Sequence, residues 1–153
     1  MHYLAIHDFL WINTVVTGVR MPYDPAALEK AMAAQYAYGR SDNALRQAAH
    51  LLGTMLRNPP FTSGNLATAF LAVATFLLAN GYRLGVPGTE AAQLVVQCLR
   101  REITSDEAVK KMAVPSGGEM KPGDTLRTLV ARLCHEHAEG LALLAEQEVR
   151  AAA

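Results

Sequence analysis

The chain has 153 residues, of which 51% are apolar and 18% are charged. A chain of this length corresponds to one domain and buries roughly 70% of its unfolded surface, so the composition excludes an intrinsically disordered protein. Its 14 Lys and Arg residues balance 14 Asp and Glu residues. Since no basic field is present, we expect no nucleic-acid partner.

The cysteines and the apolar stretches indicate in which cellular compartment we expect the protein. Cys98 and Cys134 are too few for a disulfide framework and lack the CxxC spacing of a redox or zinc pair, which favours a reducing compartment. Residues 1–3 lack the basic region of a secretory signal, so we expect a cytoplasmic protein. The longest apolar stretch, residues 66–79, has 14 residues, whereas a bilayer span needs about 20. It predicts a buried core helix and no membrane partner.

The first half of the chain carries helical rather than alternating apolar patterns. Residues 3–17 predict a helix that ends at Gly18. Asp24 and Pro25 are a typical N-cap and first helical residue, and the spacing predicts a second helix that continues to Gly39.

Two further helices follow before the middle of the chain. Ser41 is the expected N-cap of a third helix, which must end at Pro59 and Pro60 because proline cannot continue the hydrogen-bond ladder. Residues 64–79 predict the central helix of the fold, since apolar residues occupy its whole circumference until Gly81 stops it.

The next segments are shorter. Residues 82–86 predict an extended piece, and residues 87–89 open a helix that reaches about Arg100. Thr104 and Glu107 match a capping box at the start of one more short helix.

The end of the chain divides into a linker and a helix. Residues 114–124 contain three glycines and two prolines without a periodic pattern, which predicts a linker. Residues 125–150 predict an additional C-terminal helix whose apolar stripe packs on the domain or on a partner chain. The stripe consists of Leu126, Leu129, Val130, Leu133, Leu141 and Leu144. We therefore expect an all-α protein with a compact domain over residues 1–113.

The junction between the third helix and the central helix carries the strongest chemical signal. Residues 58–69 read NPPFTSGNLATA, so a proline-ended loop runs into Gly64 and Asn65 at a helix start. Such a junction presents backbone N–H groups to an anion, and glycine lets a phosphate approach the backbone. On these residues alone an ordinary helix start without a ligand stays open as the alternative.

The same segment resembles the Fic/Doc family, whose motif at this junction reads His-x-Phe-x-(Asp/Glu)-Gly-Asn-(Lys/Gly)-Arg. Five residues stand in register with the family: Phe61, Gly64, Asn65, Thr68 and Ala69. Residues 70–84, FLAVATFLLANGYRL, are similar to the apolar helix and Asn-Gly turn of the death-on-curing (Doc) toxins. The resemblance covers residues 1–113 and implies the Fido fold, a compact helical domain around a central buried helix.

The groups that perform the family's chemistry are absent from this chain. Pro59 stands at the position of the family's histidine, which accepts the proton of the attacking hydroxyl, and proline cannot act as a base. Ser63 replaces the acidic magnesium ligand, and a neutral hydroxyl binds a hard cation poorly. Leu66 and Ala67 replace the basic pair that neutralises the nucleotide phosphates. We therefore expect no catalytic residue in the motif.

A degenerate anion cradle remains, consisting of Phe61, Ser63, Gly64 and Asn65. We assign no cofactor to it, and we expect binding of ATP and Mg²⁺ to be weakened. The residual route to catalysis is compensation by Arg57, His50 or Arg83, which flank the loop in sequence.

Cys134, His135 and His137 form a second cluster in which two metal ligands share a helix face. Two further ligands would have to come from elsewhere in the chain. We therefore interpret the cluster as a cysteine on the apolar stripe beside solvated histidines, and we expect no metal site.

The resemblance also implies a range of functions. Active Fic/Doc proteins transfer AMP or phosphate from ATP to protein hydroxyls, and Doc toxins pair with an antitoxin. The missing chemical groups favour a catalytically impaired, toxin-like or regulatory binding module with an antitoxin-like or target protein as partner. Two alternatives stay open: an atypical nucleotide-dependent transferase that uses Gly64 and Asn65, and a structural homo-oligomer formed through residues 125–150.

Overall fold

A computed structural model describes residues 1–39, 41–117 and 120–152. Within these ranges the chain forms eight helices and one two-stranded antiparallel sheet, so the all-α prediction is confirmed in its helical character and departs from the structure in the small sheet. The helices are α1 (Ile6–Thr17), α2 (Pro25–Ala34), α3 (Ala44–Arg57), α4 (Asn65–Ala79), α5 (Gly88–Leu99), α6 (Ser105–Met112), α7 (Leu126–Glu136) and α8 (Ala138–Ala152); the strands are β1 (Tyr82–Leu84) and β2 (Ala113–Pro115). None of the helices described combines the length and apolar character needed to cross a membrane.

Helix α4 is the centre of the fold. Every residue from Leu66 to Leu77 is buried, and the helix contacts α1, α3, α7 and α8. Such a helix must be covered on all sides, because its apolar residues occupy the whole circumference. The prediction that residues 64–79 form the most buried helix is confirmed.

Several predicted helix ends are also confirmed. Gly18 closes α1 in the left-handed conformation, with φ at 81°. The Asp24 carboxylate caps α2 by accepting hydrogen bonds from the backbone N–H groups of Ala26 and Ala27. At α6 the Thr104 hydroxyl accepts a 3.1 Å bond from the Glu107 N–H group, as the capping-box pattern predicts.

Helix α2 ends at Ala34, so the prediction that it continues to Gly39 is wrong. Tertiary contacts explain the early stop. The fully buried Gln35 side chain accepts a bond from the Leu4 N–H group at 2.6 Å and donates to the Leu4 carbonyl at 2.8 Å. Beyond it the chain turns away through Ala37, a non-glycine residue with φ at 42°.

The start of α3 also differs from the prediction. Asn43, not Ser41, caps this helix, because its side chain accepts a 3.1 Å bond from the Arg46 N–H group. The Ser41 hydroxyl donates instead to the Tyr36 carbonyl in the preceding turn. Asn58 ends the helix immediately before the two prolines.

The extended piece predicted at residues 82–86 contains β1, which pairs with β2 in the register Tyr82↔Pro115 and Leu84↔Ala113. Strand β2 includes the first two residues of the predicted linker 114–124. The linker boundary is therefore displaced, since the backbone at this point completes a sheet. Two linker residues, Gly118 and Glu119, lie outside the residues described.

Residues 125–150 form two helices, so the prediction of a single C-terminal helix is wrong. Helix α7 ends before His137, whose backbone leaves helical geometry at φ −119° and ψ 28°. Directly after this break Gly140 lies against the backbone of Gly88, an approach that a Cβ at residue 140 would block. Both helices pack on their own domain, α7 on α4 and α8 on α5 and α4. The buried stripe residues are Leu129, Val130, Leu133 and Leu144.

Candidate functional site

The junction loop before α4 is closed by the side chain of Asn65. Its Oδ1 accepts a hydrogen bond from the Phe61 N–H group at 2.9 Å, and its Nδ2 donates to the Phe61 carbonyl at 2.7 Å. The Phe61 ring is buried and lies 6.3 Å from the Tyr23 ring, and the two residues form an isolated β-bridge. Asn65 and Phe61 therefore shape the cradle, and both ends of the Asn65 amide are used within the loop.

Gly64 occupies a position where only glycine fits. Its φ is 77°, and a Cβ there would lie 2.5 Å from Thr17 Cγ2 and 3.1 Å from Asn13 Nδ2. The buried Asn13 side chain donates to the Ser63 carbonyl at 2.9 Å and to the Thr68 hydroxyl at 3.1 Å. Helix α1 thus holds the last turn of the loop against the first turn of α4.

The N–H groups exposed at this junction are occupied by a carboxylate from α8. Glu148 Oε2 accepts a hydrogen bond from the Gly64 N–H group at 2.5 Å, and Oε1 accepts one from the Leu66 N–H group at 2.9 Å. Because Gly64 has no side chain that could cap α4, Glu148 supplies the cap from the other end of the chain. Two backbone donors at the junction are therefore occupied by a carboxylate of the chain itself.

Glu148 lies between two cavities that flank the junction. One, of about 380 Å³, is lined by Pro59, Ser63 and Leu66, with Leu99 and Val149 among its apolar residues. The other, of about 210 Å³, is lined by Gly64, Ala67, Leu144 and other residues, and Glu148 lines both. Glu148 is the one ionisable side chain among the described residues that line either cavity.

Four residues of the junction differ from the Fic/Doc motif that the segment resembles. Pro59 and Ser63 are exposed, and both line the larger cavity. Leu66 and Ala67 are buried, at 5% and 2% exposure, so they belong to the core. The two positions that the Fic/Doc resemblance aligns with a basic pair are therefore packing positions in this chain.

The three residues considered for compensation do not reach the junction. His50 and Arg57 lie in a separate cleft between α3 and α6. Arg83 lies on β1, where its guanidinium donates to the Leu84 carbonyl at 3.4 Å. None of the three lines the two cavities beside Glu148.

The cluster around His137 has a packing role. The His137 ring meets the Phe70 ring edge-on at 6.0 Å, and burial lowers the pKa of His137 while the charge of Glu136 partly opposes this shift. Burial raises the pKa of Cys134, and His135 is exposed. In the part of the chain that the structure describes, no three His, Cys, Asp or Glu side chains are grouped to hold a metal ion.

Sequence reasoning missed Glu148. Its partner Gly64 lies 84 positions away, and the surrounding pattern of α8 reads as an ordinary amphipathic helix with several acidic residues. No local signal distinguishes Glu148 from Glu146 or Glu139, so only the tertiary structure identifies it.

Comparisons with known proteins return no match to a family model, to a curated protein or to a solved structure.

Proposed function

We propose that this chain is a catalytically impaired relative of the Fic/Doc proteins that acts as a toxin-like or regulatory binding module. The observation that carries the proposal is the pair of hydrogen bonds from the Gly64 and Leu66 N–H groups to Glu148. A junction with this geometry is suited to an anion, and here the anion belongs to the chain itself. Pro59, at the position of the family's histidine, provides no base beside it.

Electrostatics support the same conclusion. A nucleotide phosphate would have to displace the Glu148 carboxylate from the two N–H groups and would meet a like charge on approach. No described cationic side chain lines the adjoining cavities to offset that repulsion. Nucleotide binding is therefore disfavoured by the occupied donors and by the missing positive charge.

The surroundings of the junction are better suited to an apolar contact. Leu99 and Val149 line the larger cavity and are 39% and 71% exposed. Exposed apolar side chains beside a cavity are typical of protein contact surfaces. In this proposal a partner places apolar side chains against this rim while Glu148 keeps the polar groups of the junction satisfied.

The two alternatives differ in what they require. An atypical transferase needs Glu148 to leave the junction before ATP can enter. The oligomer hypothesis was motivated by the apolar stripe of residues 125–150, and the buried part of that stripe packs on α4 and α5 of the same chain. The observation that motivated the oligomer is thus accounted for within one chain.

The test compares ATP binding and label transfer in a graded set of variants. We expect the unmodified chain, incubated with Mg²⁺ and labelled ATP, to transfer no label to itself or to lysate proteins. The restored variant carries Pro59→His, Ser63→Asp, Leu66→Lys and Ala67→Arg. Leu66 and Ala67 each line a cavity, so the lysine and arginine side chains that replace them have space to extend beside the junction.

Calorimetry then separates the roles of charge and of Glu148. We expect the restored variant to bind ATP more tightly when Glu148→Ala is added, because the carboxylate and the phosphate need the same N–H groups. Glu146→Ala in the restored background is the matched control, since Glu146 is exposed and contacts Arg150. Circular dichroism establishes that each variant is folded.

Two results contradict the proposal. Label transfer by the unmodified chain that disappears in Asn65→Ala would favour the transferase. A folded restored variant with Glu148→Ala that gains no ATP affinity would mean that the junction is not a Fic/Doc-like cradle.

A further inference from the structure

A second polar cleft lies between α3 and the start of α6, away from the junction. We call it the α3–α6 cleft; it has a volume of about 330 Å³, and its polar lining includes Tyr38, Arg46, His50, Arg57 and Ser105. None of its lining residues lines the two cavities beside Glu148.

The basic residues of this cleft share one face of α3. Arg46, His50, Gly53 and Arg57 follow each other at intervals of four, three and four residues, which places them on one stripe of the helix. A buried stripe at this spacing would be apolar, whereas this one carries two guanidinium groups and an imidazole. The stripe therefore forms a wall with hydrogen-bond donors along the cleft.

The charges along this wall are not all neutralised. Arg46 is paired with Asp106 of α6, with Nη1 and Oδ1 3.2 Å apart. Arg57 has no hydrogen-bond or ion-pair partner among the residues described. The pair fixes one end of the cleft, and the other end keeps a full positive charge.

Gly53 brings two donors to the same point. A Cβ at residue 53 would lie 2.9 Å from Arg57 Nη1 and 3.2 Å from Ser105 Oγ. Ser105 is the first residue of α6, and because the first turn of this helix also carries Asp106 and Glu107, the charge that favours an anion here is that of Arg57. A guanidinium and a hydroxyl that converge beside a helix start suit the oxygens of a phosphate.

His50 and Tyr38 indicate what is attached to that phosphate. The Nδ1 atom of His50 lies 3.0 Å from the Ala34 carbonyl, which can only accept, so Nδ1 donates there and Nε2 is left for a polar group of a ligand. Tyr38 is 85% exposed, and its ring stacks on Tyr36 with the ring centroids 6.3 Å apart, so most of the Tyr38 side chain is accessible to a planar group of a ligand.

We propose that the α3–α6 cleft binds a nucleoside monophosphate, with the phosphate between Arg57 and Ser105 and the base against Tyr38. The cleft has room for a ligand of this size, and it adjoins a second cavity that also contacts Gly53, Arg57 and Ser105. The proposal is independent of the proposed function, because the two sites share no residue.

The test titrates the full chain with uridine 5′-monophosphate, with uridine and with inorganic phosphate, and follows backbone amide shifts by NMR. We expect the monophosphate to bind at least tenfold more tightly than uridine and to shift the amides around Arg57 and Ser105. Arg57→Gln should weaken its binding at least tenfold, the loss expected for one charge-assisted contact. Tyr38→Ser should weaken the monophosphate severalfold and leave inorganic phosphate unchanged.

Controls keep the interpretation specific. Arg83→Gln also removes one positive charge, but from β1, and should change the affinity for uridine 5′-monophosphate by less than twofold. Ser105→Ala is a second probe of the phosphate position if Arg57→Gln is unfolded by circular dichroism. Equal binding of uridine and its monophosphate, full affinity in folded Arg57→Gln, or amide shifts confined to Gly64 and Leu66 would each overturn the proposal.

Discussion

Removal of the Glu148 carboxylate should destabilise the protein by uncapping its central helix. In Glu148→Ala the N–H groups of Gly64 and Leu66 lose their acceptor, and Gly64 has no side chain to replace it. Loss of a helix N-cap costs about 0.5–2 kcal/mol, and loss of a negative charge from a helix N-terminus costs about 0.3–1 kcal/mol. Because Glu148 is half-buried, we expect a total of about 1–3 kcal/mol.

Urea denaturation followed by circular dichroism measures this difference. Thermal denaturation gives a second measure, in which the midpoint temperature should fall by roughly 2–4 °C for each kcal/mol in a chain of this size. Glu148→Gln should recover at most half of the loss, because its amide offers one acceptor for two N–H groups and carries no charge. Glu146→Ala is the matched control, since its exposed ion pair with Arg150 contributes about 0.5 kcal/mol or less. Equal stability of Glu148→Ala and Glu146→Ala would refute the reasoning.

Four further predictions address the core, the loop and the titratable groups. Phe70→Asp should unfold the domain, because Phe70 is 2% exposed in the central helix; an unchanged melting temperature would contradict its placement. Gly64→Ala should cost more than Gly123→Ala in urea denaturation, since both glycines have a positive φ but a Cβ meets neighbouring atoms only at Gly64. Burial lowers the pKa of His137, so as the pH falls the unfolded chain takes up a proton at this residue at a higher pH than the folded chain does. The free energy of unfolding should therefore decrease as the pH drops below about 6.5, and His137→Phe should lose this part of the pH dependence. Burial, aided by the charge of Glu107, raises the pKa of Cys98 to about 11, so its alkylation at pH 8, followed by mass spectrometry, should be much slower in the folded than in the urea-unfolded chain.

The parts of the fold that depend on local chemistry could be predicted from the sequence. Helix α4 is apolar on every side, so its central position follows from the pattern alone. The caps at Asp24 and Thr104 depend on residues within three positions of one another. The anion cradle expected at Gly64 and Asn65 stays a prediction, since the two N–H groups that donate to a carboxylate belong to Gly64 and Leu66.

The parts that depend on distant contacts could not be predicted. Helix α2 stops where Gln35 bonds to Leu4, 31 positions away. The break between α7 and α8 lies at His137, which is neither a glycine nor a proline and so gives no stop signal in the sequence. It coincides with the packing of Gly140 on Gly88. Helical spacing describes one face of one helix, and it contains no information about which distant backbone that face meets.

Glu148, the carboxylate at the junction, could not be predicted for the same reason, because it comes from a distant helix. The sequence indicates a place for an anion at Gly64 and Asn65, but it does not show that the N–H groups of Gly64 and Leu66 donate to a carboxylate on the last helix. Donors at a helix start are fixed by three or four consecutive residues, whereas the acceptor can come from anywhere in the fold. A predicted anion site of this kind therefore needs the tertiary structure before a ligand is assigned to it.

The most direct test of the internal cap is the backbone amide spectrum of Gly64 and Leu66 in the unmodified chain and in Glu148→Ala. Amide protons that donate to a carboxylate resonate downfield and exchange slowly with solvent. We predict that both amides move upfield and exchange faster in the variant, and that added phosphate partly reverses the change by taking the vacated position. Gly64 and Leu66 amides that are identical in both proteins would contradict the account.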